Sequence, residues 1–331
     1  GDHRDLHYPL RRQRQMCIRD RAITLAEVYG NNLETVVYTQ GCGLSARLRL
    51  EKLGFNTDGK SFATKTYEDL VRNRIEIESK NWRNDNRAGL IWIDDLYELT
   101  QDKLVVDPII DQANLFLENS ILDPNIQVED QFFVSAIMGR AYKYTNDLRY
   151  IDFMVNHVLD SKLMRKDGIY IHSKIAEYPW GRGNGFAAYG AIEAIIHTPD
   201  DYHKKNELII KHKTHLDAII NFQTENGAWR QVIDDNNSYE ELTVTVMVGY
   251  ALANGIRKGI LSNDYMNSLE KAWEFVDSKI EDSGIVHDSC TGTGSLNSLN
   301  EYLIRKRENG FDNRGGSLSA WFLVDLYKLL S

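Results

Sequence analysis

Residues 128–147 read VEDQFFVSAIMGRAYKYTND. Val128, Phe132, Ile137, Ala141 and Tyr144 recur at helical spacing, and Thr145-Asn146-Asp147 ends the run with turn residues. The same pattern extends outward from this stretch. Leu208, Ile209, Leu216, Ile219, Ile220 and Phe222 repeat it in 205–222, and Leu318, Trp321, Phe322, Leu326 and Leu329 repeat it near the end. Asp107-Pro108 and Thr198-Pro199 each read as an N-cap followed by proline at the first helical position. Ser238 with Glu241 reads as a capping box. Strand signals are weak and do not alternate with helices, which disfavours doubly wound and TIM-type folds.

The connections are of two kinds. Some are short, such as Thr145-Asn146-Asp147; others are long and rich in Trp, Gly, Asn and Asp, as in 172–185, 223–237 and 288–298. A ring of helical hairpins has tight turns on one face and long loops on the other. The expected fold class is therefore all-α, an α/α toroid formed by one domain over 22–331. Residues 1–21 stand apart. They are basic, with Arg11, Arg12, Arg14, Arg19 and Arg21, and lack a sustained apolar period. They read as a disordered or non-native extension; RQRQMCIRDR resembles translated adapter sequence. That reading leaves the toroid open to being incomplete at its N-terminus. The segment also lacks the apolar run of a secretory signal.

Composition narrows the function classes. The 331 residues carry 39 Lys+Arg against 48 Asp+Glu, a net charge of −9, which argues against a nucleic-acid partner. No apolar run is long enough to span a membrane, so a membrane partner is not expected. Cys17, Cys42 and Cys290 are odd in number and far apart, so neither a disulfide framework nor a cysteine zinc site is expected. The aromatic content of 10% suits a large helical domain with an aromatic cleft.

Trp180-Gly181-Arg182-Gly183-Asn184-Gly185-Phe186 is the sharpest motif. Its alternate glycines allow a tight backbone or close approach to a ligand. Arg182 offers a planar fork for a carboxylate, and Trp180 and Phe186 offer flat faces for a sugar. The helix that follows turns its N-terminus to the loop, which favours an anion there. Trp229 and Arg230, in Gly227–Asp235, form a second aromatic-cation pair, with a structural Trp plug as the equal alternative; Glu240 and Glu241 read as capping groups. Glu129-Asp130 opens a helix beside Phe132 and Phe133, where burial would raise a carboxyl pKa and the helix dipole would oppose it. Asp94-Asp95-Leu96-Tyr97-Glu98 matches the DDxxE pattern of magnesium-dependent terpene cyclases, but no second metal motif follows. His212 and His215 read as solvated side chains; no metal site is expected from them.

Together these segments resemble the unsaturated glucuronyl and rhamnogalacturonyl hydrolases of glycoside hydrolase families 105 and 88. WGRGNGF is similar to their WGRGNGW signature. VEDQFFVSAIMGRAYKYTNDLRYID, GIYIHSK, GAWRQVIDD and Cys290-Thr291-Gly292-Thr293-Gly294 are similar to further family segments in the same order. The resemblance runs from about residue 30 to 331.

It implies a six-hairpin α/α toroid. It also implies a hydrolase that removes a 4,5-unsaturated uronic acid from the non-reducing end of oligosaccharides made by lyases. The reaction hydrates the enol-ether double bond, with one Asp as general acid/base and no metal or organic cofactor. Carried over, Asp130 is the general acid/base, with Glu129 as the competing register. His172, Trp180, Arg182 and Asn184 hold the uronate, Trp229 stacks on the ring, and Arg230 stands beside it. A second carboxylate falls at Asp94, with Asp85 or Asn86 as other candidates. Phe186 replaces the usual Trp, and the 85–95 region departs from the family pattern. A non-catalytic toroid that binds acidic oligosaccharides is the competing class. The implied partner is an unsaturated acidic oligosaccharide, and the implied compartment is cytoplasmic or periplasmic. Oligomeric state, parent polysaccharide and linkage stay open.

Overall fold

The computed structural model describes residues 4–71, 75, 79–118 and 122–331. Among these, twelve helices have nine or more residues. They are α1 (Arg4–Tyr29), α2 (Tyr38–Lys52), α3 (Gly59–Leu70), α4 (Trp92–Thr100), α5 (Asp107–Glu118), α6 (Asp130–Thr145), α7 (Leu148–Asp160), α8 (Gly181–His197), α9 (Lys205–Ile220), α10 (Leu242–Arg257), α11 (Met266–Ser278) and α12 (Asn313–Leu330).

Burial separates them into two layers. Most even-numbered helices are covered nearly all round: α8 is buried without a break from Gly181 to Ile195, α10 from Leu242 to Gly255 and α12 from Gly315 to Leu326. The odd-numbered helices bury one stripe, such as Tyr150, Ile151, Met154, Val155 and Val158 of α7, and leave the opposite face in water. The inner helices pack in the order α6, α8, α10, α12, α2, α4. Asp94 of α4 closes the ring onto Lys143 (2.6 Å) and Tyr144 of α6. Six helical pairs thus form an α/α toroid. Close approach inside the ring requires small residues: a Cβ on Gly190 of α8 would lie 2.3 Å from the Gln131 carbonyl carbon of α6.

The loops are asymmetric, as expected. Connections from inner to outer helices are short (Asn146-Asp147 joins α6 to α7), while those from outer to inner helices span 161–180, 221–241 and 279–312. The long loops therefore gather where the inner helices begin. They carry two small antiparallel ribbons: β1 (Trp229–Arg230) with β2 (Glu240–Glu241), and β3 (Val286–Cys290) with β4 (Arg307–Gly310). An aromatic plug fills the axis. Tyr250 stacks on Trp321 at 4.3 Å, and Tyr189 meets Trp321 at 5.3 Å and Phe132 at 5.1 Å.

Several local expectations are corrected. Among the described residues no break falls at the expected boundary: α1 runs through 21/22, Ile18 is fully buried, and Arg21 pairs with Asp277 (3.1 Å) and Asp282 (2.7 Å). Ile18, Ala22 and Leu25 sit at i, i+4 and i+7, an apolar stripe masked by the surrounding arginines. Residues 1–3 lie outside the described residues. Thr198 closes α8 by donating to the Ala194 carbonyl instead of opening a helix. Glu241 caps α10 directly, accepting from Thr243 and Val244 N–H at 2.8 Å each, while Ser238 accepts from Val232 N–H. A capping box with both reciprocal bonds is formed instead by Ser298 with Glu301. His212 and His215 are buried, not solvated. No described helix is long and apolar enough to cross a membrane.

Candidate active site

A cleft of about 820 Å³ opens where the inner helices begin. Tyr38 and Thr39 come from the start of α2, Glu129 and Phe133 from that of α6, Trp180 and Arg182 from that of α8, and Asp312 and Arg314 from that of α12. Asn84, Asp85 and the Gly292–Gly294 loop complete the wall. Four helix N-termini border one space and bring their positive dipole ends to it. The cleft therefore favours an anion despite the net charge of −9.

Asp130 is the first residue of α6 and is 1% exposed. Its Oδ1 accepts from Asn84 Nδ2 (2.8 Å) and Gln127 Nε2 (3.2 Å), both cleft residues. No Lys or Arg among the described residues forms an ion pair with it. Burial pushes its carboxyl up to about 6, the neighbouring Glu129 charge adds to the rise, and the two amide hydrogen bonds oppose it. A carboxylic acid of that strength is half protonated near pH 6 and keeps roughly a tenth of its population protonated at pH 7, which suits a proton donor.

Glu129 lies beside it on the cleft surface. Its Oε1 meets His172 Nε2 at 3.1 Å, and His172 Nδ1 meets the Tyr302 hydroxyl at 2.5 Å. His172 is 1% exposed and stands behind the wall, with its ring 4.4 Å from that of Trp180. It supports Glu129 rather than facing the cavity.

Arg182 lines the cleft and is also engaged by its wall. Nη1 donates to the Cys290 carbonyl and Nη2 to that of Thr291 (2.8 Å), and the guanidinium lies 4.9 Å over Trp180. Its terminal nitrogens thus hold the Cys-x-Gly-x-Gly loop in place as a cleft wall. Asn184 stitches the backbone: Nδ2 donates to the Tyr170 and Trp180 carbonyls, and Oδ1 accepts from Tyr170 N–H.

Trp229 cannot stack on a sugar. It is fully buried, and its indole N–H donates to the Ile219 carbonyl at 2.7 Å. Arg230 lines a separate pocket with Phe222, Asn226 and Glu240. Asp94 is no second cleft carboxylate. Burial alone would raise its pKa, but Arg140, Lys143 and Tyr144 outweigh it and hold it at about 2. Asp95 is likewise engaged by Ser45 and Arg49, so the two aspartates of the DDxxE run are tied into contacts between helices, away from the cleft. Of the other candidates, Asp85 lines the cleft and pairs with Arg83 at 2.7 Å, whereas Asn86 donates to the Val36 carbonyl.

Sequence reasoning missed Asn84, Gln127, Tyr302 and Arg314. Gln127 lies three residues before Asp130 and was within reach of inspection; the others reach the site only through tertiary packing. Arg314 lines the cleft, donates to Asp312 at 2.7 Å through Nη2, and keeps its buried Nε without a partner. Among the described residues no cluster of three His, Cys, Asp or Glu side chains could hold a metal ion.

Comparison with known proteins agrees with this architecture. An unsaturated 3S-rhamnoglycuronyl hydrolase from Alteromonas sp. (strain LOR) is 30% identical over 112 residues, 33% of this chain and 27% of that protein. The unsaturated rhamnogalacturonyl hydrolase YesR of Bacillus subtilis is 26% identical over 175 residues, 52% of this chain and 46% of that protein. The matched stretch thus spans less than half of either curated relative. Among solved structures, a possible family 105 member from Salmonella enterica superposes with a TM-score of 0.78 at 17% identity, covering 96% of this chain and 94% of that one. An unsaturated glucuronyl hydrolase specific for heparin gives 0.71 at 13% identity, covering 96% of each chain. At these identities the likeness establishes the toroid fold. The Glycosyl Hydrolase Family 88 model matches residues 15–330, from α1 to α12 and across every wall of the cleft, and the chain belongs to that family.

Proposed function

We propose that this chain removes a 4,5-unsaturated uronic acid from the non-reducing end of a short acidic oligosaccharide, with Asp130 as general acid and then base. The observation that carries the reading is Asp130 itself: a buried carboxyl with no cationic partner among the described residues, half protonated near pH 6, set among cleft-lining side chains. Family membership supports the substrate class.

The chemistry follows from the enol ether. Protonation of C4 by Asp130 leaves positive charge at C5, shared with the ring oxygen. Water adds at C5 and returns its proton to the Asp130 carboxylate. The C5 hemiketal opens to a ketone, C1 becomes a hemiacetal, and its collapse releases the remaining sugar as an alcohol. Asn84 and Gln127 hold one Asp130 oxygen in a fixed direction. Trp180 and Phe186 offer apolar faces to the ring. Arg314 and the converging helix N-termini supply the positive field for the uronate carboxylate.

The test follows the ultraviolet absorbance of the conjugated double bond with a panel of unsaturated disaccharides. Turnover by the wild type and a loss of roughly 10²–10⁴-fold in Asp130→Asn are expected. Binding of the disaccharides without any turnover would leave a non-catalytic toroid as the correct reading. Full activity in Asp130→Asn would remove Asp130 from the chemistry.

A further inference from the structure

A second cavity, of about 560 Å³, lies outside the cleft and shares none of its lining residues. It is built from the 221–241 loop. Its first wall follows directly on the C-terminus of α9, and the ribbon of β1 and β2 brings Arg230 and Glu240 to it. The stretch Arg230-Gln231 also supports the start of α8. Gly181 N–H donates to the Gln231 carbonyl at 2.7 Å, and a Cβ on Gly181 would lie 2.3 Å from the Arg230 carbonyl oxygen. One short piece of backbone therefore joins the two cavities, while Arg230 itself lines only the second.

Arg230 is a partly buried cation that the protein leaves unpaired. Among the described residues it makes no side-chain hydrogen bond and no ion pair, and its Nε is buried without an acceptor. Glu240 stands directly opposite it in the register of the ribbon, the position from which a carboxylate ordinarily pairs with an arginine. Asn226 holds Glu240 instead, its Nδ2 lying 3.2 Å from each carboxylate oxygen. A buried donor without a partner in a native protein calls for an explanation. Two further groups face the same space. Phe222, at the edge of the core, offers an apolar surface, and Asn236 is exposed with its side-chain amide bound to no described residue.

We propose that this cavity is a second sugar-binding site, separate from the cleft, and that it takes a neutral pyranose with adjacent hydroxyls. Two observations oppose an anion there. The lining sets Glu225, Asp234 and Glu240 against Arg230, and Arg165 offsets only Asp234, at 2.7 Å. The bordering helix α9 also brings its C-terminus, the negative end of its dipole, whereas the cleft is bordered by N-termini. A sugar hydroxyl both donates and accepts. Two adjacent hydroxyls therefore satisfy at once a guanidinium that lacks acceptors and a carboxylate that can take further donors. Phe222 covers the C–H face of the ring, and Asn236 meets a further hydroxyl. The two cavities divide the chemistry of a glycan: the cleft suits its charged unit, and the second site suits an uncharged one. Binding here does not depend on the reaction proposed above.

The test is saturation-transfer NMR with calorimetry on the full chain. The probes are the methyl glycosides of glucose, galactose and rhamnose, with those of glucuronic and galacturonic acid as charged counterparts. At least one neutral glycoside is expected to bind wild type, and Asp130→Asn, altered only in the cleft, is expected to bind it equally well. Arg230→Met is expected to weaken that binding by roughly 10-fold or more, the range for hydrogen bonds to a charged group. Asn236→Ala, a change at an exposed position, is expected to give a smaller loss and guards against misfolding of the arginine variant. Failure of every neutral glycoside to bind, or binding that both loop variants leave unchanged, overturns the proposal. Binding lost in Asp130→Asn places the sugar in the cleft and overturns it as well. Tighter Arg230-dependent binding of the charged glycosides overturns the neutral class of ligand. Wild type that binds a neutral glycoside yet turns over no unsaturated substrate overturns the reaction and leaves this site standing.

Discussion

Helix α6 touches two sets of buried carboxylates and treats them in opposite ways. Three turns into the helix, Arg140 lies 2.8 Å from Glu193 and 3.5 Å from Asp94, and Tyr250 donates to Glu193 at 2.6 Å. Burial there favours the protonated acids, but Arg140 leads the groups that outweigh it, and both carboxyls titrate well below their ordinary range. At the start of the same helix, Asp130 is at least as buried and receives only two neutral amide donors, so its carboxyl moves up instead. Burial is common to both places; the difference is whether a cation accompanies it. The middle of the toroid neutralises its charges, whereas its mouth leaves one carboxyl uncompensated. That contrast separates a structural from a reactive carboxylate more clearly than exposure does.

The comparison can be broken from either side. The largest expected effect is the loss of roughly 10²–10⁴-fold in turnover for Asp130→Asn, read by the absorbance assay. Next, Arg140→Met leaves Glu193 and Asp94 buried without their arginine, and should destabilise the protein by about 3–5 kcal/mol in denaturant titration. The same Asp130→Asn variant should gain stability, by at most about 3 kcal/mol. The sign follows from a folded pKa raised above the unfolded value. The cost of ionising Asp130 is absent below its unfolded pKa, grows as pH rises, and is complete above about 6. The gain should therefore appear at pH 8 and vanish at pH 4. A gain equal at both pH values would mean that Asp130 is not uncompensated. The same titration should make kcat/KM fall as pH rises beyond about 6, as the proton donor is lost. The smallest effect sharpens the local reading: Ser298→Ala removes the capping box beside the cleft loop and should cost about 1 kcal/mol.

Much of the fold was legible because periodicity is a local signal. The apolar spacing in 128–145 marks α6 almost to its boundaries, and the alternation of short and long connections reports which helix ends face the ligand. The roles of individual side chains were harder to read. Arg182 in WGRGNGF has the right chemistry for a carboxylate, but two carbonyls 108 and 109 residues away take its terminal nitrogens. Trp229 looks like a stacking platform until its indole is found donating to Ile219 inside the core. Asp94 looks reactive until Lys143, Tyr144 and Arg140 are placed around it. In each case residue type was informative about what a side chain can do, while a distant partner decided what it does. Tyr302 carries no motif of its own; only its proximity to His172 marks it.

The packing of the first helix against the last has a temporal consequence. Arg49 of α2 pairs with Asp325 of α12 at 2.6 Å, Trp321 donates to Ser45 at 2.9 Å, and Gln15 reaches Ser331 at 3.0 Å. These contacts bridge roughly the whole chain, and closing so long a loop is entropically expensive and slow. Helix α12 packs between α10 and α2, and the residues at its start supply the cleft wall at Asp312–Arg314. One late segment therefore closes the ring and completes the cleft in the same step, so loss of α12 is expected to cost stability and site together.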